Sequence, residues 1–244
     1  MKSPPLISII VAVFNGSSTL QNCLDSIAAQ TYPHKELIVM DGGSSDGTVD
    51  LLTANSDAIT YWESEVDNGI AHAWNKGLRK SQGEWILFVG ADDRLHDATV
   101  LSDMATLMAD DADSDLVYGQ IVFGDGPYAN NILGRPFDWI TYRRRMLIPH
   151  TGCFQRRRLF DELGDFDESY KVAIDYEIFL RKPALKARFV PRMVTIMGGG
   201  GMSTRQAKRT LWEGRQAQLK NKVDSKLKIE MWHAIYQLRG MFKL

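Results

Sequence analysis

The chain has 244 residues, 44% hydrophobic and 24% charged, and this balance excludes disordered, collagen-like and disulfide-scaffold proteins. Its two cysteines, Cys23 and Cys153, are too few for a disulfide framework or a zinc cluster, and we expect small buried residues. The longest apolar run, residues 6–14, is too short to span a bilayer, and no signal-peptide pattern precedes it. We therefore expect a cytoplasmic globular protein.

The net charge of −1 hides an uneven distribution along the chain. Residues 205–244 carry ten Lys/Arg and three Asp/Glu, whereas residues 1–204 carry nineteen and twenty-seven. A basic tail on an acidic body indicates an anionic partner, either a membrane surface or a nucleic acid. No aromatic-and-basic binding motif accompanies the tail charges, so we expect no nucleic-acid partner.

The first half alternates apolar runs with helical patterns. The runs typical of buried strands are residues 6–14, 36–40, 58–63 and 85–89. The helical patterns between them begin near Ser18, Thr48 and Ile70. This alternation predicts an α/β fold, with right-handed βαβ units and a mostly parallel sheet flanked by helices on both faces.

The second half is less regular. Its predicted elements are a strand at residues 115–123, helices at 154–163 and 173–182, and a last strand near 188–190. A loop-rich stretch is expected up to Met146, and a helical tail from Ala207 onward. The four glycines at 198–201 are costly to order, which predicts a hinge that orders when a ligand binds.

Carboxylates stand where two of the predicted strands end. Asp92 and Asp93 repel each other on one turn unless a cation is present, and Mg²⁺ or Mn²⁺ prefers such oxygen ligands. The alternative for Asp93 is a helix N-cap. Asp41 could accept a hydrogen bond from a nucleobase imide or form a plain Asx turn. Ligands of parallel sheets bind beyond the carboxyl ends of strands, where these side chains should lie.

Candidate residues of the second half carry weaker signals. Asp175, near the start of an apolar helix, is either a first-turn charge or a placed base, and Glu177 is its rival. His150 is more typical of a structural residue. The arginine runs at 143–145 and 156–158 indicate either solvated surface or a diphosphate clamp.

In combination, these stretches resemble the family 2 glycosyltransferases, which have the GT-A fold. The matching segments are residues 9–16, 30–48, 64–69, 75–77, 85–93, 154–168 and 173–181. The resemblance covers about residues 6–204 and implies a GT-A domain there, with a nucleotide-sugar-binding half at 1–120 and an acceptor-side half at 121–204. Residues 205–244 remain as a basic amphipathic helical tail.

The resemblance also implies an activity. An enzyme of this kind moves a sugar, with inversion, from a nucleoside diphosphate sugar, here expected to be a UDP-sugar. The acceptor would be a hydroxyl of a glycan or lipid-linked molecule in bacterial surface polysaccharide or lipooligosaccharide synthesis. A lipid-linked acceptor would suit a tail that lies on the inner face of the cell membrane.

Site residues follow by position in the family motifs. The implied donor-binding residues are Ala12, Phe14, Asp41, Asp67 and Asp92. Asp93 would bind Mg²⁺ or Mn²⁺, and Asp175 would be the catalytic base. His150 and Glu177 are placed on the acceptor side. Many members have an arginine just before the motif asparagine, where Trp74 stands here, and this departure bears on donor recognition.

Two other functions compete with this interpretation. A sugar-1-phosphate nucleotidyltransferase would want a glycine-rich loop with a basic residue after the first strand, and residues 14–18 have no basic residue. A degenerate scaffold domain would have no need of the carboxylates at positions 41, 92, 93 and 175.

Overall fold

The computed structural model describes residues 3–199 and 206–241. The strands are β1 (Ile7–Val13), β2 (Lys35–Asp41), β3 (Tyr61–Ser64), β4 (Trp85–Gly90), β5 (Arg94–Leu95), β6 (Leu116–Phe123), β7 (Ile132–Leu133), β8 (Cys153–Arg156) and β9 (Ala187–Met197). Within the described residues they form one sheet in the order β3-β2-β1-β4-β8-β6-β9-β5, with β7 paired to β6.

Helices cover both faces of this sheet, as predicted. The described helices are α1 (Leu20–Ala28), α2 (Thr48–Ala54), α3 (Ile70–Lys80), α4 (Val100–Ala109), α5 (Trp139–Tyr142), α6 (Arg157–Leu163), α7 (Ile174–Leu180), α8 (Ala207–Lys220) and α9 (Lys226–Met241). Side chains of α1, α2 and α4 pack in one core, and side chains of α3, α6, α7 and α8 pack in the other. The free cysteines are buried, also as predicted.

The first half of the sheet is parallel. β1 pairs in parallel with β2 and β4, and β2 pairs in parallel with β3. Because β1 is central, successive side chains alternate between the two cores, with Ile9 in one and Ile10 in the other. In this register Val13 lies opposite Asp41, and Ala12 lies opposite Gly90. The carboxyl ends of three strands therefore meet at one edge.

The second half corrects two predicted elements. Residues 154–163 are not one helix, because β8 inserts antiparallel between β4 and β6 and the helix begins only at Arg157. A short apolar run is ambiguous between helix and strand, and here the free edge of β4 decides. β9 is much longer than predicted, and its pairing with β6 is irregular around Pro191, which has no N–H to donate.

The tail forms two helices that pack on the domain. Ala217 of α8 is fully buried in the core that contains α7. On α9, Ile229 and Trp232 are buried, whereas Met231 and Ile235 are exposed. Helical spacing in the sequence predicts one apolar face for the tail, formed by Met231, Trp232, Ile235, Leu238 and Phe242. The structure divides the described part of this face between an inward and an outward stripe. The side chain of Leu238, which belonged to that predicted face, lies outside the described residues, as do residues 242–244.

Loop arginines help to hold the tail. The guanidinium of Arg144 lies 4.9 Å from the ring centroid of Trp232, and Arg143 pairs with Asp224 at 3.1 Å. The run at 143–145 is therefore engaged in part within the chain. Across the described part of the chain, no helix is long and apolar enough to cross a membrane.

Candidate active site

The loops that follow β1 and β2 are joined to each other. The Asn15 N–H donates to Ser44 Oγ at 2.7 Å, and its side-chain oxygen accepts from Ser45 N–H at 3.0 Å. The Gly16 N–H donates to Thr48 Oγ1 at 2.9 Å. Asn15 has a positive φ of 51°, a conformation that asparagine tolerates better than most residues. The paired loops give the sheet edge a fixed shape.

Asp41 is buried at this edge, with 2% of its surface exposed. Its Oδ2 accepts from the Gly43 N–H at 3.1 Å, the Ser44 N–H at 2.9 Å and the Ser64 hydroxyl at 2.5 Å. Its Oδ1 accepts from the Ser44 hydroxyl. These bonds include the Asx-type contact expected from the sequence. They also hold the carboxylate in one orientation.

Phe14, Gly42 and Asp67 converge beside Asp41. A Cβ on Gly42 would lie 2.8 Å from Asp67 Oδ2 and 3.4 Å from Phe14 Cδ2, so only glycine leaves room for both. The ring of Phe14 is 66% exposed, which is unusual for a phenylalanine. Ala12, two residues before Phe14 in the sequence, is half-buried. An exposed ring facing a carboxylate suits a planar heterocycle that donates N–H groups.

Asp92 and Asp93 lie on the turn after β4, at the same edge. Asp92 is exposed, and Asp93 is 4% exposed. Asp93 accepts hydrogen bonds from the Gly90 N–H at 3.2 Å and the Gly198 N–H at 2.9 Å. Burial, followed by the charge of Asp92, raises the pKa of Asp93 to about 7 although both N–H groups oppose the shift. The helix-cap alternative is wrong, because the strand β5 follows this turn.

These carboxylates fit a divalent cation. The described residues contain no group of three or more His, Cys, Asp or Glu side chains placed to hold a metal. Mg²⁺ and Mn²⁺ in phosphate-handling sites often keep only one or two protein carboxylates. Burial and the neighbouring charge of Asp92 disfavour the ionised form of Asp93, and they are the causes of its raised pKa. Gly198 packs against this turn, and a side chain would not fit there because its Cβ would lie 2.7 Å from Asp92 Oδ2.

Asp175 lies in the first turn of α7 and is partly exposed. One of its oxygens accepts from the Tyr176 N–H at 2.9 Å. Desolvation by the surrounding protein raises the pKa of Asp175 to about 7, and the hydrogen bonds from the local N–H groups only partly offset this rise. Just upstream, Lys171 Nζ donates to the carbonyl of Asn68 at 2.5 Å, beside Asp67. The segment that carries Asp175 is therefore tied to the Phe14–Asp67 pocket.

Residues 8–176 match the model of "Glycosyl transferase family 2". The chain belongs to glycosyltransferase family 2. A "PGL/p-HBAD biosynthesis glycosyltransferase" of Mycobacterium bovis is 36% identical over 206 residues, covering 82% of this chain and 79% of that protein. An uncharacterized glycosyltransferase of Mycobacterium tuberculosis is 29% identical over 186 residues, covering 74% and 70%.

Solved structures share the fold of this glycosyltransferase at low sequence identity. TarS of Staphylococcus aureus, solved in complex with UDP-GlcNAc, aligns with a TM-score of 0.74 at 18% identity, covering 93% of this chain and 69% of that one. The chain spans 41% of a longer TarS structure. The mannosyltransferase PcManGT of Pyrobaculum calidifontis, in complex with GDP-Man and Mn²⁺, aligns at 0.69 and 22% identity, covering 93% and 67%. These likenesses confirm the predicted GT-A fold.

The two residues expected on the acceptor side of this glycosyltransferase are buried. His150 is 8% exposed and stacks on Phe88 at 5.2 Å, and burial lowers its pKa to about 3. Glu177 is fully buried and bonded to Arg181 and Lys220. Neither side chain is placed to meet an acceptor in this conformation, so their expected roles receive no support from the structure.

The arginine run at 156–158 lies at the opposite end of β4 from the Asp92–Asp93 turn. Arg156 is 8% exposed, pairs with Glu84 at 2.6 Å and lies 4.3 Å from the ring centroid of Trp85. Trp85 begins β4, whereas Asp92 and Asp93 follow its other end. The run is therefore structural, and the diphosphate-clamp hypothesis is wrong for it.

Trp74, which stands where many family members have arginine, packs among aromatic rings. Its ring centroid lies 4.6 Å from His150, 5.2 Å from Phe88 and 5.4 Å from Phe166. The neighbouring motif residue Asn75 is 2% exposed and donates to the carbonyl of Phe166 at 3.0 Å. This part of the family motif joins α3 to the turn that precedes α7.

Sequence reasoning missed several residues that shape the site. Ser64 donates a hydrogen bond to Asp41, and Gly198 donates one to Asp93. Lys171 contacts the loop beside Asp67. Gly198 belongs to the glycine run predicted as a hinge, of which positions 200 and 201 lie outside the described residues. Each contact joins residues more than twenty positions apart, so no local pattern could reveal it.

Proposed function

We propose that this family 2 glycosyltransferase transfers a sugar, with inversion, from a UDP-sugar to a hydroxyl of a glycan or lipid-linked acceptor. The observation that carries the proposal is the common edge where β1, β2 and β4 end. That edge joins an exposed aromatic ring, the carboxylates of Asp41 and Asp67, and the Asp92–Asp93 turn. A nucleobase, its ribose and a metal-bound diphosphate would occupy it in that order.

The donor class is supported by the fold neighbours. TarS carries UDP-GlcNAc and PcManGT carries GDP-Man with Mn²⁺. Both donors are nucleoside diphosphate sugars that transfer a hexose or an N-acetylhexosamine, and we propose such a donor here. Phe14 and Ala12 would wall the nucleobase, Asp41 and Asp67 would accept its N–H groups, and Asp92 would meet the ribose.

The reaction follows from one base and one leaving group. Asp175 would accept the proton of the acceptor hydroxyl, whose oxygen then forms the bond to the anomeric carbon. The bond to the nucleoside diphosphate breaks on the opposite face, which inverts the anomeric configuration. Mg²⁺ or Mn²⁺ held by Asp93 would neutralise the charge that develops on the diphosphate. A carboxylate with a pKa of about 7 is well matched to accepting a proton near neutral pH.

The acceptor is proposed from the mycobacterial relatives. The name of the Mycobacterium bovis relative places that protein in PGL/p-HBAD biosynthesis, and it supports assembly of a bacterial surface glycolipid or glycan as the setting. A panel of nucleotide-sugars with Mn²⁺, read as release of nucleoside diphosphate and by NMR of the product, tests the proposal. Turnover of a nucleoside triphosphate with a sugar 1-phosphate would indicate a nucleotidyltransferase instead. Binding without any turnover would indicate a scaffold.

Gly42→Ala should weaken UDP binding. The new methyl would lie 2.8 Å from Asp67 Oδ2, so that side chain must leave its place in the pocket. Because an introduced clash of this kind costs about 1–3 kcal/mol, we expect at least about a fivefold rise in the dissociation constant. Calorimetry with UDP and Mn²⁺ measures it. Gly214→Ala is the control, since its methyl would lie 3.8 Å from Tyr176 in ordinary contact. Equal affinities of the two variants would contradict this pocket.

We propose that the tail places the enzyme on the inner face of an anionic membrane. Leu227, Met231 and Ile235 recur at four-residue spacing on α9 and are 81%, 51% and 40% exposed. Exposed lysines at 226 and 228 flank this stripe. An apolar stripe bordered by lysines suits the headgroup boundary of a bilayer, and each nearby basic residue contributes about 1 kcal/mol on an anionic surface.

Replacing the exposed stripe should abolish vesicle binding. The triple variant Leu227→Ser, Met231→Ser and Ile235→Ser alters only exposed positions, so the fold should persist. We expect co-sedimentation of the unaltered chain with phosphatidylglycerol-containing vesicles, loss of it in the variant, and little binding to neutral vesicles. Ile132→Ser with Leu133→Ser, exposed apolar positions on β7, is the matched control. Equal binding by the unaltered chain and the triple variant would mean that the stripe is not a membrane surface.

A further inference from the structure

Glu213 of α8 is buried, with 1% of its surface exposed. Its oxygens accept hydrogen bonds from the backbone N–H of Lys171 at 3.0 Å, of Val172 at 2.7 Å and of Ala173 at 3.0 Å. These three N–H groups precede α7, and Ala173 has no polar side chain to cap that helix. Glu213 therefore holds, from a distant part of the sequence, the backbone that leads into α7, including the N–H of the N-cap residue Ala173.

The charge of Glu213 is maintained by its surroundings. Burial would raise its pKa, but the Ala173 N–H, the Arg209 guanidinium and the N–H groups of Val172 and Lys171 outweigh that effect and hold the pKa below its ordinary value. Arg209 pairs with Glu213 at 2.7 Å. A buried carboxylate is costly unless its bonds are satisfied, so this one depends on the geometry of the backbone that it grips.

Two further side chains of α8 contact the same short helix. Gln218 Nε2 donates to Tyr176 Oη at 3.0 Å, and Lys220 Nζ donates to Glu177 at 2.8 Å. The Tyr176 hydroxyl in turn donates to the carbonyl of Tyr142 at 3.1 Å. α8 thus holds both the start and the middle of α7, which is only seven residues long.

The residues gripped by Glu213 also touch the donor side. The side chain of Lys171 donates to the carbonyl of Asn68, and a Cβ on Gly69 would lie 3.5 Å from its Nζ. Asp67 accepts from the Gly69 N–H at 2.7 Å. The stretch 171–173 therefore lies between the loop that presents Asp67 and the helix that presents Asp175.

We propose that Glu213 is a positioning residue that fixes the backbone of 171–173 and thereby orients Asp175 toward the acceptor hydroxyl. The inference rests on the proposed role of Asp175 as base. A general base must lie within hydrogen-bond reach of the proton it takes. A displacement of about 1 Å can cost about 10²-fold in rate. Helix α8 then positions the segment that carries Asp175, in addition to covering the core.

Glu213→Gln tests the proposal in the full chain. The shape is kept, and the amide oxygen can take the place of the carboxylate oxygen that accepts from all three backbone N–H groups. The NH₂ would then face the Arg209 guanidinium and the Lys171 N–H, so the negative charge that strengthens these bonds and the pairing with Arg209 are lost. We expect kcat to fall at least about tenfold, with KM for the UDP-sugar and the Kd of UDP with Mn²⁺ within about twofold of the original values. The amides of Val172 and Ala173 should exchange hydrogen faster. Glu213→Asp keeps the charge but has a side chain one methylene shorter. Its kcat should lie between that of the unaltered enzyme and that of Glu213→Gln.

Glu230→Gln is the matched control, because Glu230 joins α9 to α8 through Arg215 at 2.8 Å and, among the described residues, forms no hydrogen bond or ion pair with α7. It should leave kcat and exchange unchanged. A folded Glu213→Gln enzyme with unaltered kcat, or with a raised KM and unaltered kcat, would overturn the proposal. If that variant does not fold, the same division between kcat and KM in Glu213→Asp decides. Asp175→Asn, measured in parallel, distinguishes failure of this proposal from failure of the proposed function. If Asp175→Asn kept its activity, the assignment of Asp175 as the base would be overturned.

Discussion

Asp175→Asn is expected to lower the turnover of sugar transfer by at least about 10²-fold, because an amide cannot accept the proton of the acceptor hydroxyl. The substitution keeps the shape of the side chain and the hydrogen bond from the Tyr176 N–H. Affinity for UDP with Mn²⁺ should therefore remain nearly unchanged. Steady-state kinetics with a saturating donor, together with calorimetry of UDP binding, separates the loss of chemistry from a loss of binding.

Asp175 should also set the acid limb of the pH profile. A base acts only when it is deprotonated, and burial raises the pKa of Asp175 to about 7. Activity should be full on the alkaline side of this value and fall as the pH drops through it. The residual activity of Asp175→Asn should lack that limb.

Glu177→Gln is the comparison variant for this prediction. Glu177 is two residues away, which turns it about 200° around the helix and into the ion pairs with Arg181 and Lys220. Its substitution should lower thermal stability and should lower kcat of the folded enzyme far less than Asp175→Asn does. An active Asp175→Asn beside an inactive, folded Glu177→Gln would show that the base was assigned to the wrong carboxylate.

Asp93→Ala should abolish most of the activity and the metal-dependent part of nucleotide binding. Without this carboxylate the diphosphate would meet the enzyme with no held counter-ion, and a metal's stabilisation of leaving-group charge is worth several kcal/mol. We expect at least about a 10²-fold loss of turnover on that basis. Asp93→Asn, which preserves the volume beneath the Gly198 backbone, should lose nearly as much.

Calorimetric titration of UDP with and without Mn²⁺ measures the effect of Asp93 directly. In the unaltered enzyme Mn²⁺ should tighten binding, and in Asp93→Ala the two titrations should coincide. Asp92→Ala should retain more of the metal effect, because Asp92 is exposed and its proposed partner is the ribose rather than the metal. Asp50→Ala, an exposed carboxylate in the first turn of α2, is the control for loss of charge alone. An undiminished effect of Mn²⁺ in Asp93→Ala would contradict the assignment of the metal site.

The sequence by itself determined the parallel half of the fold and the place where its strand-end carboxylates meet. Long apolar runs have one stable placement, buried on both faces, and βαβ connections align their carboxyl ends at one edge. Asp41, Asp92 and Asp93 follow such runs, so their meeting at that edge could be predicted from strand order alone. The local sequence pattern was enough to predict these strands, because the burial of each element depends on the periodicity of its own apolar residues.

Only the tertiary structure decided which charged groups are free for chemistry. Glu177 and the arginines at 156–158 look as available in the sequence as Asp175 does, yet each is engaged by a partner distant along the chain. The free edge of β4 made a strand of Cys153–Arg156, where local pattern predicted helix. The packing of α8 and α9 divided the apolar residues of the tail between core and surface.

The contact of Glu213 with residues 171–173 illustrates the physical reason for this limit. Its partners are backbone N–H groups, which every residue but proline offers, so no side-chain pattern marks the contact. Residues about forty positions apart meet there only because α8 packs against α7, and that packing depends on the whole core. The sequence specifies the composition of the site, whereas the assembled fold specifies which of its groups are held, paired or left free to react.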